Sequence, residues 1–344
     1  MSISLTDLKK SFGGKPAVDG ITLDIASGEF FAIVGASGCG KSTLLRLIAG
    51  LEAADAGKIV LVGRPVSGPG LHLPPEARGT GFVFQSYALW PHLDVRGNVA
   101  FPAQAAGLTR AEAAARADRH LATVNLSDFA TRKPPDLSGG QRQRVALARC
   151  LAQEARIILM DEPLANLDPH LRATMEEELT AFHRASGATT VYITHDQREA
   201  MAVADRMAVM ADGRFLQVGM PAEIYDRPSC AAVARFIGQG AIQPVEARGG
   251  AVHLAGRRVA VRGAGDADGP QAALFRPVDL VICAPGAKGA LAGHVTSALY
   301  RGGLWEAKLA VEGLPDPFVV HLARRVQPGE ALGVRVMGGW LLPG

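Results

Sequence analysis

Gly35-Ala36-Ser37-Gly38-Cys39-Gly40-Lys41-Ser42-Thr43 fits the pattern G-x-x-x-x-G-K-[ST]. The stretch follows the apolar run Phe30–Val34, which predicts a buried strand, and residues 41–51 after it predict a helix that stops near Gly50. Glycines let successive backbone N–H groups converge on phosphate oxygens, while Lys41 adds charge and the Ser42 hydroxyl can ligate Mg²⁺. A purely structural turn, the alternative, does not need Lys and Ser here. The stretch therefore predicts a strand, a phosphate-binding loop and a helix.

A pair of acids, Asp161 and Glu162, follows a second apolar run at residues 157–160. In open α/β sheets, ligands gather at the carboxyl ends of the strands. One acid can hold Mg²⁺ and the next can act on water, although such a pair taken alone is also typical of a solvated turn or a helix cap. On the same sheet as a phosphate loop, the pattern favours nucleotide chemistry.

Leu137-Ser138-Gly139-Gly140-Gln141 precedes a helical run. The spacing of Ser138 and Gln141 is that of a capping box, which explains these two residues. It does not explain two adjacent glycines in a first turn, where each costs about 1 kcal/mol of helix stability. Bare backbone beside a helix N-terminus predicts a second surface that faces phosphate.

The first part of the chain, up to about Gly238, alternates short apolar runs with helical periods. This pattern predicts an α/β domain with a parallel sheet, to which residues 190–194 add another strand. Thr109 and Glu112 form a predicted capping box, and Asp168 is a predicted N-cap before a proline at the first helical position. We expect residues 1–238 to form this domain, with a helical subdomain at about residues 86–155.

The rest of the chain changes to short runs with period-two alternation, such as Val334 and Val336, punctuated by Gly-Gly pairs. Residues 239–344 are therefore predicted to form a small all-β, OB-like barrel domain. Such a domain either regulates the protein or acts as a stabilising appendage.

Length, charge and cysteine content limit the number of domains, the kind of partner and the cellular compartment that the sequence predicts. A length of 344 residues favours two domains, and a net charge of +3 with scattered basic residues does not predict a nucleic-acid partner. The cysteines show no C-x-x-C pair or metal-ligand spacing, which indicates a reducing, cytosolic compartment. No stretch reaches the roughly 18 apolar residues of a spanning helix, so we expect any membrane association to come through a partner.

The phosphate loop, residues 138–141 and the strand that ends in Asp161 and Glu162 occur in the order of ABC-transporter ATP-binding subunits, which residues 2–238 resemble. The resemblance implies roles for single residues. Phe12 lies where an aromatic residue, commonly tyrosine, stacks on adenine. Gln85 lies where a glutamine senses Mg²⁺ and the partner. Residues 165–168 resemble the loop that crosses between subunits, with Asn166 as a small departure.

His195 lies at the family position of the switch histidine that contacts the γ-phosphate. Without the resemblance, a lone histidine after an apolar strand is more typical of a hydrogen-bonded structural residue. Its place at a strand end, with Asp196 and Glu199 predicted to cap the next helix, favours the functional interpretation. Phe12 without the resemblance is predicted to be a core residue.

The resemblance also implies a mechanism and cofactors. ATP is expected between residues 35–43 of one chain and residues 138–141 of a second copy, in a homodimer. Glu162 is expected to polarise the attacking water and His195 to stabilise the γ-phosphate. Mg²⁺ is expected among Ser42, Gln85 and Asp161.

The apolar residues 85–93 are themselves consistent with a loop folded onto the core, whereas the resemblance implies that they border a surface that receives a helix of a membrane permease. The β domain, in which Phe275-Arg276-Pro277 and Asp279 resemble a recurring barrel element, is similar to the accessory barrel of importers. Together with the permease-facing surface, it predicts that the chain is part of an importer. We then expect two partners, a membrane permease and an extracytoplasmic solute-binding protein, and a location on the cytoplasmic face of the inner membrane. Exporters and soluble ABC ATPases are the alternatives. Iron(III), polyamines or phosphonates are favoured slightly over sugars or sulfate.

Overall fold

The computed structural model describes residues 1–165, 169–265 and 267–343, without the side chains of residues 169–171. It divides into two compact units, Met1–Pro221 and Ala222–Gly344. Asn166, Leu167 and Asp168 of the predicted crossing loop and N-cap lie outside the described residues.

The first unit combines two sheets with helices. Its strands are β1 (Ile3–Phe12), β2 (Lys15–Ile25), β3 (Phe30–Val34), β4 (Ala56–Leu61), β5 (Arg64–Gly68), β6 (Leu71–His72), β7 (Thr80–Val83), β8 (Ile157–Asp161), β9 (Thr189–Thr194), β10 (Arg206–Ala211) and β11 (Arg214–Gly219). Its helices are α1 (Lys41–Ala49), α2 (Val95–Ala105), α3 (Arg110–Thr123), α4 (Gly139–Ala152), α5 (Pro169–Ser186) and α6 (Gln197–Val203).

The central sheet has the strand order β11-β10-β3-β9-β8-β7. Strands β10, β3, β9, β8 and β7 run parallel, and β11 pairs antiparallel at the edge. All residues of β3 and β9 are buried, as expected for a parallel sheet covered on both faces. The strands predicted at residues 157–160 and 190–194 are therefore confirmed, and their carboxyl ends share one edge of the sheet.

A second, antiparallel sheet has the order β2-β1-β4-β5-β6. Its apolar face packs with α1 and the central sheet in one core that includes Ile3, Leu5, Phe31, Leu45 and Ile193. The return strand β2 passes the phosphate loop at Ala17, whose carbonyl lies beside Gly40. The antiparallel sheet thus supports the loop from one side.

The helices α2, α3 and α4 pack around a core of their own, in the region predicted as a helical subdomain. The capping box predicted at Thr109 and Glu112 is confirmed, since each side chain accepts a hydrogen bond from the other residue's backbone N–H. Buried Asn98 on α2 holds the chain before it through bonds to Trp90, Leu93 and Asp94. None of the helices within the described ranges combines the length and hydrophobicity needed to cross a bilayer.

The second unit is built mainly of antiparallel strands. The helix α7 (Pro221–Asp226) leads into it, followed by α8 (Ala231–Phe236), β12 (Ala241–Arg248), β13 (Ala251–Leu254), β14 (Arg257–Val259), β15 (Gly269–Phe275), β16 (Leu280–Cys283), β17 (Leu291–Tyr300), β18 (Trp305–Val311), β19 (Phe318–Leu322), β20 (Ala331–Val336) and β21 (Trp340–Leu341). The orders β14-β13-β12-β15-β21 and β16-β20-β17-β18-β19 enclose one core centred on Phe275 and Phe318. The predicted fold class, an α/β unit followed by a barrel-like β unit, is confirmed.

Helix α8 and all of α7 after Pro221 lie in the second unit, whereas the sequence places the domain boundary at Gly238. The reason is Arg276, which is 4% exposed and stacks on Tyr225 with 4.3 Å from its guanidinium carbon to the ring centre. Its guanidinium donates hydrogen bonds to the carbonyls of Tyr225 and Gln239, both at 3.1 Å. The recurring element at residues 275–279 therefore ties α7 and α8 to the β strands, a contact between distant residues that the glycine pattern near Gly238 does not encode.

Candidate functional site

The phosphate loop connects β3 to α1 and closes tightly on itself. Gly40 has φ +109°, and a Cβ there would overlap the carbonyl oxygen of Ala17. Lys41 is 5% exposed, and its Nζ donates to the carbonyls of Gly35 at 2.8 Å and Ala36 at 3.0 Å. The buried ammonium thus lies inside the loop, where its charge is poorly screened and available to an anion.

The side chains of Ser42, in the first turn of α1, and Asp161, at the end of β8, are in contact. The Ser42 hydroxyl donates to Oδ1 of Asp161 at 2.9 Å, across 119 residues of sequence. Burial raises the pKa of Asp161, while the Ser42 hydrogen bond opposes that rise. Two oxygen donors from different elements in a partly desolvated place fit a magnesium ion, which takes oxygen ligands.

Glu162, Gln85 and His195 converge beside this pair. Oε2 of Glu162 lies 3.3 Å from Nδ1 of His195 and 3.4 Å from Nε2 of Gln85. Glu162 itself has φ +46°, which is costly for a residue with a side chain, and its N–H donates to the carbonyl of Ile193 at 3.0 Å. The strained backbone aims this carboxylate away from β8 and towards the ends of β7 and β9.

The turn that carries His195 rests on a buried carboxylate. Glu199 is 4% exposed and accepts hydrogen bonds from Tyr192 at 2.8 Å and Thr194 at 2.6 Å. Arg172 on α5 lies 3.3 Å from the other oxygen of Glu199. The network fixes the residue before His195 and links its turn to α5.

The predicted capping role of Glu199 is wrong, whereas that of Asp196 is confirmed. Asp196 caps α6 by accepting from the N–H of Arg198 at 2.8 Å. Glu199 turns inwards to the hydroxyls of Tyr192 and Thr194 instead. The spacing of a capping box is the same in either case, so the sequence alone could not reveal the buried acceptor.

The glycine pair at residues 139–140 opens α4. The predicted capping box is confirmed, since Ser138 Oγ accepts from Gln141 N at 3.3 Å and Gln141 Oε1 accepts from Ser138 N at 2.9 Å. Within the described part of the chain, no hydrogen bond joins residues 138–141 to residues 35–43. The structure therefore presents two separate glycine-rich surfaces in this unit.

Phe12 ends β1 with 49% of its surface exposed. The ammonium of Lys10 lies 5.2 Å from the centre of its ring. The prediction of a core residue, made without the resemblance, is wrong because the ring projects from the hairpin. Its stacking on adenine stays a prediction.

An apolar groove of about 600 Å³ is lined in part by the segment around Gln85, from Phe82 and Phe84 before it to Pro91 after it. Phe84, Trp90 and Phe101 line it and are 37%, 42% and 43% exposed. Tyr87 in the same segment is 5% exposed, so residues 85–93 combine a buried anchor with exposed aromatic side chains. The buried Tyr87 fits a loop folded onto the core, and the role of the exposed side chains in receiving a permease helix stays a prediction.

Alkylation is expected to test how tightly the loop encloses Cys39. Cys39 is 9% exposed, with Sγ 3.9 Å from Lys41 Nζ, and burial raises the pKa of Cys150 to about 11. We expect iodoacetamide to modify the half-buried Cys230 and Cys283 first without loss of ATP binding, and Cys39 later with loss of binding. Intact-mass spectrometry beside an ATP-binding assay follows both events.

The matched variant is Cys39→Ala, which should bind ATP and keep that binding after treatment, because Lys41 loses only the 3.9 Å contact with Sγ and keeps its bonds to the Gly35 and Ala36 carbonyls. If treated Cys39→Ala lost ATP binding at the same rate as the unmodified chain, the sensitive thiol would lie elsewhere.

Comparison with known proteins identifies similar chains. A family model described as ABC transporter matches residues 18–165. The sn-glycerol-3-phosphate import ATP-binding protein of Rhizobium johnstonii is 41% identical, over 97% of this chain and 91% of that relative. The spermidine/putrescine import ATP-binding protein of Marinobacter nauticus is 38% identical, over 99% of this chain and 95% of that relative.

Solved structures with the same fold are ATP-binding cassettes. A dimeric cassette in a post-hydrolysis state, bound to ADP and Pi, is 32% identical with a TM-score of 0.56, over 64% of this chain and 98% of that one. CbiO1 from Clostridium perfringens, part of an ABC transporter complex, is 30% identical with a TM-score of 0.59, over 65% of this chain and 90% of that one.

Proposed function

This chain belongs to the ABC transporter family and is an ATPase of that family, and from that premise we propose that it is the ATP-hydrolysing subunit of a solute importer. The observation that carries the proposal is that one carboxylate oxygen of Glu162 lies 3.3 Å from His195 Nδ1 and 3.4 Å from Gln85 Nε2. They lie beside Ser42 and Asp161 at the carboxyl edge of the central sheet. The similarity to import ATP-binding proteins over nearly the whole chain supports the importer class.

Hydrolysis follows from the proposed roles of these side chains. Residues 35–43 hold the phosphates, with the buried Lys41 ammonium balancing their charge. Glu162 polarises the attacking water, since its carboxylate projects from the strand end and is 20% exposed. His195, held 3.3 Å from that carboxylate, donates towards the γ-phosphate, and Gln85 orients the same water.

Magnesium is proposed at Ser42 and Asp161, with Gln85 as a further ligand. The 2.9 Å separation of the Ser42 and Asp161 oxygens supports the first two. The ion, when bound, supplies charge that offsets the phosphates. Ionisation of Asp161 is then favoured, against the burial that raises its pKa.

A homodimer is proposed to complete each ATP site, in which residues 138–141 of one copy face residues 35–43 of the other. The separation of these two surfaces within the unit supports it, and so does the dimeric form of a similar cassette. ATP favours closure because it adds phosphate contacts to both surfaces, and loss of the γ-phosphate favours opening.

The apolar groove is the proposed docking surface for a permease. Exposed aromatic side chains in the groove support docking there, and one of them, Phe84, directly precedes Gln85 in the sequence. The chain then lies on the cytoplasmic face of the inner membrane through its permease, and an extracytoplasmic binding protein delivers the solute.

The proposed solute is a small charged organic molecule, with sn-glycerol-3-phosphate first and polyamines second. Similar proteins are named for the import of both. Of the solutes that the sequence favours, iron(III), polyamines and phosphonates, only polyamines gain support from these names. The sequence does not specify the solute because selectivity resides in the permease and the binding protein.

Reconstitution with a permease that binds this chain is expected to give ATP-driven uptake of sn-glycerol-3-phosphate or spermidine into vesicles. Phe101→Ser should lose permease-stimulated hydrolysis and keep ATP binding, because Phe101 lines the groove and not the nucleotide site. The control Leu299→Ser removes a similarly exposed apolar side chain from the second unit. ATP hydrolysis without permease binding would favour a soluble ABC ATPase instead.

A further inference from the structure

Arg149 joins helix α4 to the segment after Gln85. Its Nη1 donates to the carbonyl of Ala88 at 2.7 Å, and its Nη2 donates to the carbonyl of Tyr87 at 2.8 Å. The two bonds span 61 and 62 residues of sequence, and the guanidinium is half-buried. A planar fork that holds two successive carbonyls restrains both position and orientation, which a single point charge does not.

The turn that Arg149 holds is strained. Tyr87 has φ +64° and Ala88 has φ +47°, so two successive residues with side chains occupy the left-handed region. Tyr87 is 5% exposed. Its hydroxyl is buried and has no hydrogen-bond partner among the described residues. Strain of this kind persists only where the surroundings impose it, and it is typical of switch segments.

Helix α4 and the turn at Tyr87 and Ala88 connect the glycine-rich surface at residues 138–141 to the apolar groove. Helix α4 begins at the glycine pair. Burial raises the pKa of the Tyr87 hydroxyl, and the positive charge of Arg142 in the first turn of α4 opposes that rise. The turn follows Gln85 by two residues and precedes Trp90, which lines the groove and bonds to buried Asn98. Helix α4 therefore carries the glycine pair at its first turn and, near its last turn, Arg149, which bonds the turn that leads to the groove.

We propose that Arg149 is the positioning residue that couples nucleotide binding to the apolar groove, by holding the strained turn at Tyr87 and Ala88 to helix α4. Movement of α4 on nucleotide binding is passed through the fork to the two carbonyls and so to Trp90. The proposal rests on the proposed function, since it gives the groove its role. It assigns Arg149 no contact with ATP.

The test follows Trp90 in the full chain by ¹⁹F NMR after labelling with 5-fluorotryptophan. The Trp90 signal is assigned by its loss in Trp90→Phe, and the probe ligand is AMP-PNP with Mg²⁺. In the unmodified chain we expect AMP-PNP to shift this signal. In Arg149→Gln we expect the shift to fall by about fivefold or more while the affinity for AMP-PNP is unchanged.

Arg144→Gln is the matched control, because Arg144 lies on the same helix and pairs with Glu178 at 3.2 Å instead of with the turn. It should keep the full shift. A full shift in Arg149→Gln, or no shift in the unmodified chain that binds AMP-PNP, would overturn the coupling. Failure of the unmodified chain to bind AMP-PNP would count against the proposed function itself.

Ala88→Gly provides an arm that does not depend on the folding of Arg149→Gln. Glycine adopts φ +47° without strain, so the fold is retained while the turn becomes free to absorb movement of α4. We expect the Trp90 shift to be reduced in this variant as well. A full shift would contradict the role of the strained turn even if Arg149→Gln proved insoluble.

Discussion

Glu162→Gln is expected to keep ATP binding and to lose nearly all turnover, by a factor on the order of 10²–10⁴. The amide is similar in size to the carboxylate, so contacts with Gln85 at 3.4 Å and His195 at 3.3 Å remain geometrically possible. It cannot polarise water as a base. Because the γ-phosphate then persists, the ATP-bound dimer should outlive that of the unmodified chain.

Phosphate release and size-exclusion chromatography with ATP measure the two effects of Glu162→Gln separately. Glu154→Gln is the matched control: Glu154 is also a glutamate with a positive φ, but it pairs with Arg116 at 3.3 Å on the exposed surface. It should hydrolyse ATP at the unmodified rate. Unimpaired turnover in Glu162→Gln would remove Glu162 from its proposed role.

Local patterns in the sequence predicted the elements that carry the site. The strand before the phosphate loop, and the capping boxes at Thr109 and Ser138, depend on residues no more than a few positions apart. Within so short a span, backbone preference and hydrogen-bond spacing decide the structure. The shared edge of the sheet also followed, because parallel strands place their carboxyl ends together.

Contacts between distant residues could not be predicted in the same way. Arg149 lies 61 residues from the carbonyl of Ala88, and no pattern within α4 marks it as different from the other arginines of that helix. Glu199 shares the spacing of a cap and is instead a buried acceptor. In both cases tertiary packing selects one of several partners that the sequence allows.

For the apolar groove, residues 85–93 alone are consistent with a loop folded onto the core, and only the family resemblance suggests a docking surface. The structure contains a buried Tyr87 beside an exposed Trp90. The roles of Gln85, Glu162 and His195 stay proposals, yet their convergence from β7, β8 and β9 is what a shared reaction centre requires.

Gly40→Ala is expected to weaken ATP binding on the order of a hundredfold or more, because misplacement of a binding group by about 1 Å can have an effect of that size. Gly40 has φ +109°, where a side chain is strained, and its Cβ would overlap the carbonyl oxygen of Ala17. Since β2 holds that carbonyl, the loop must move instead. With it move the backbone N–H groups and Lys41, which begins α1 directly after Gly40.

Gly38→Ala is the matched control for Gly40→Ala, because both glycines belong to the same loop and both have positive φ. Gly38 has φ +82°, and an added Cβ there meets nothing within 4 Å, so it adds backbone strain of about 1–2 kcal/mol without an overlap. Titration with a fluorescent ATP analogue, beside thermal unfolding to check the fold, should show a much smaller loss for Gly38→Ala. Equal losses in the two variants would mean that backbone strain alone, and not the packing of the loop against Ala17, controls the phosphate site.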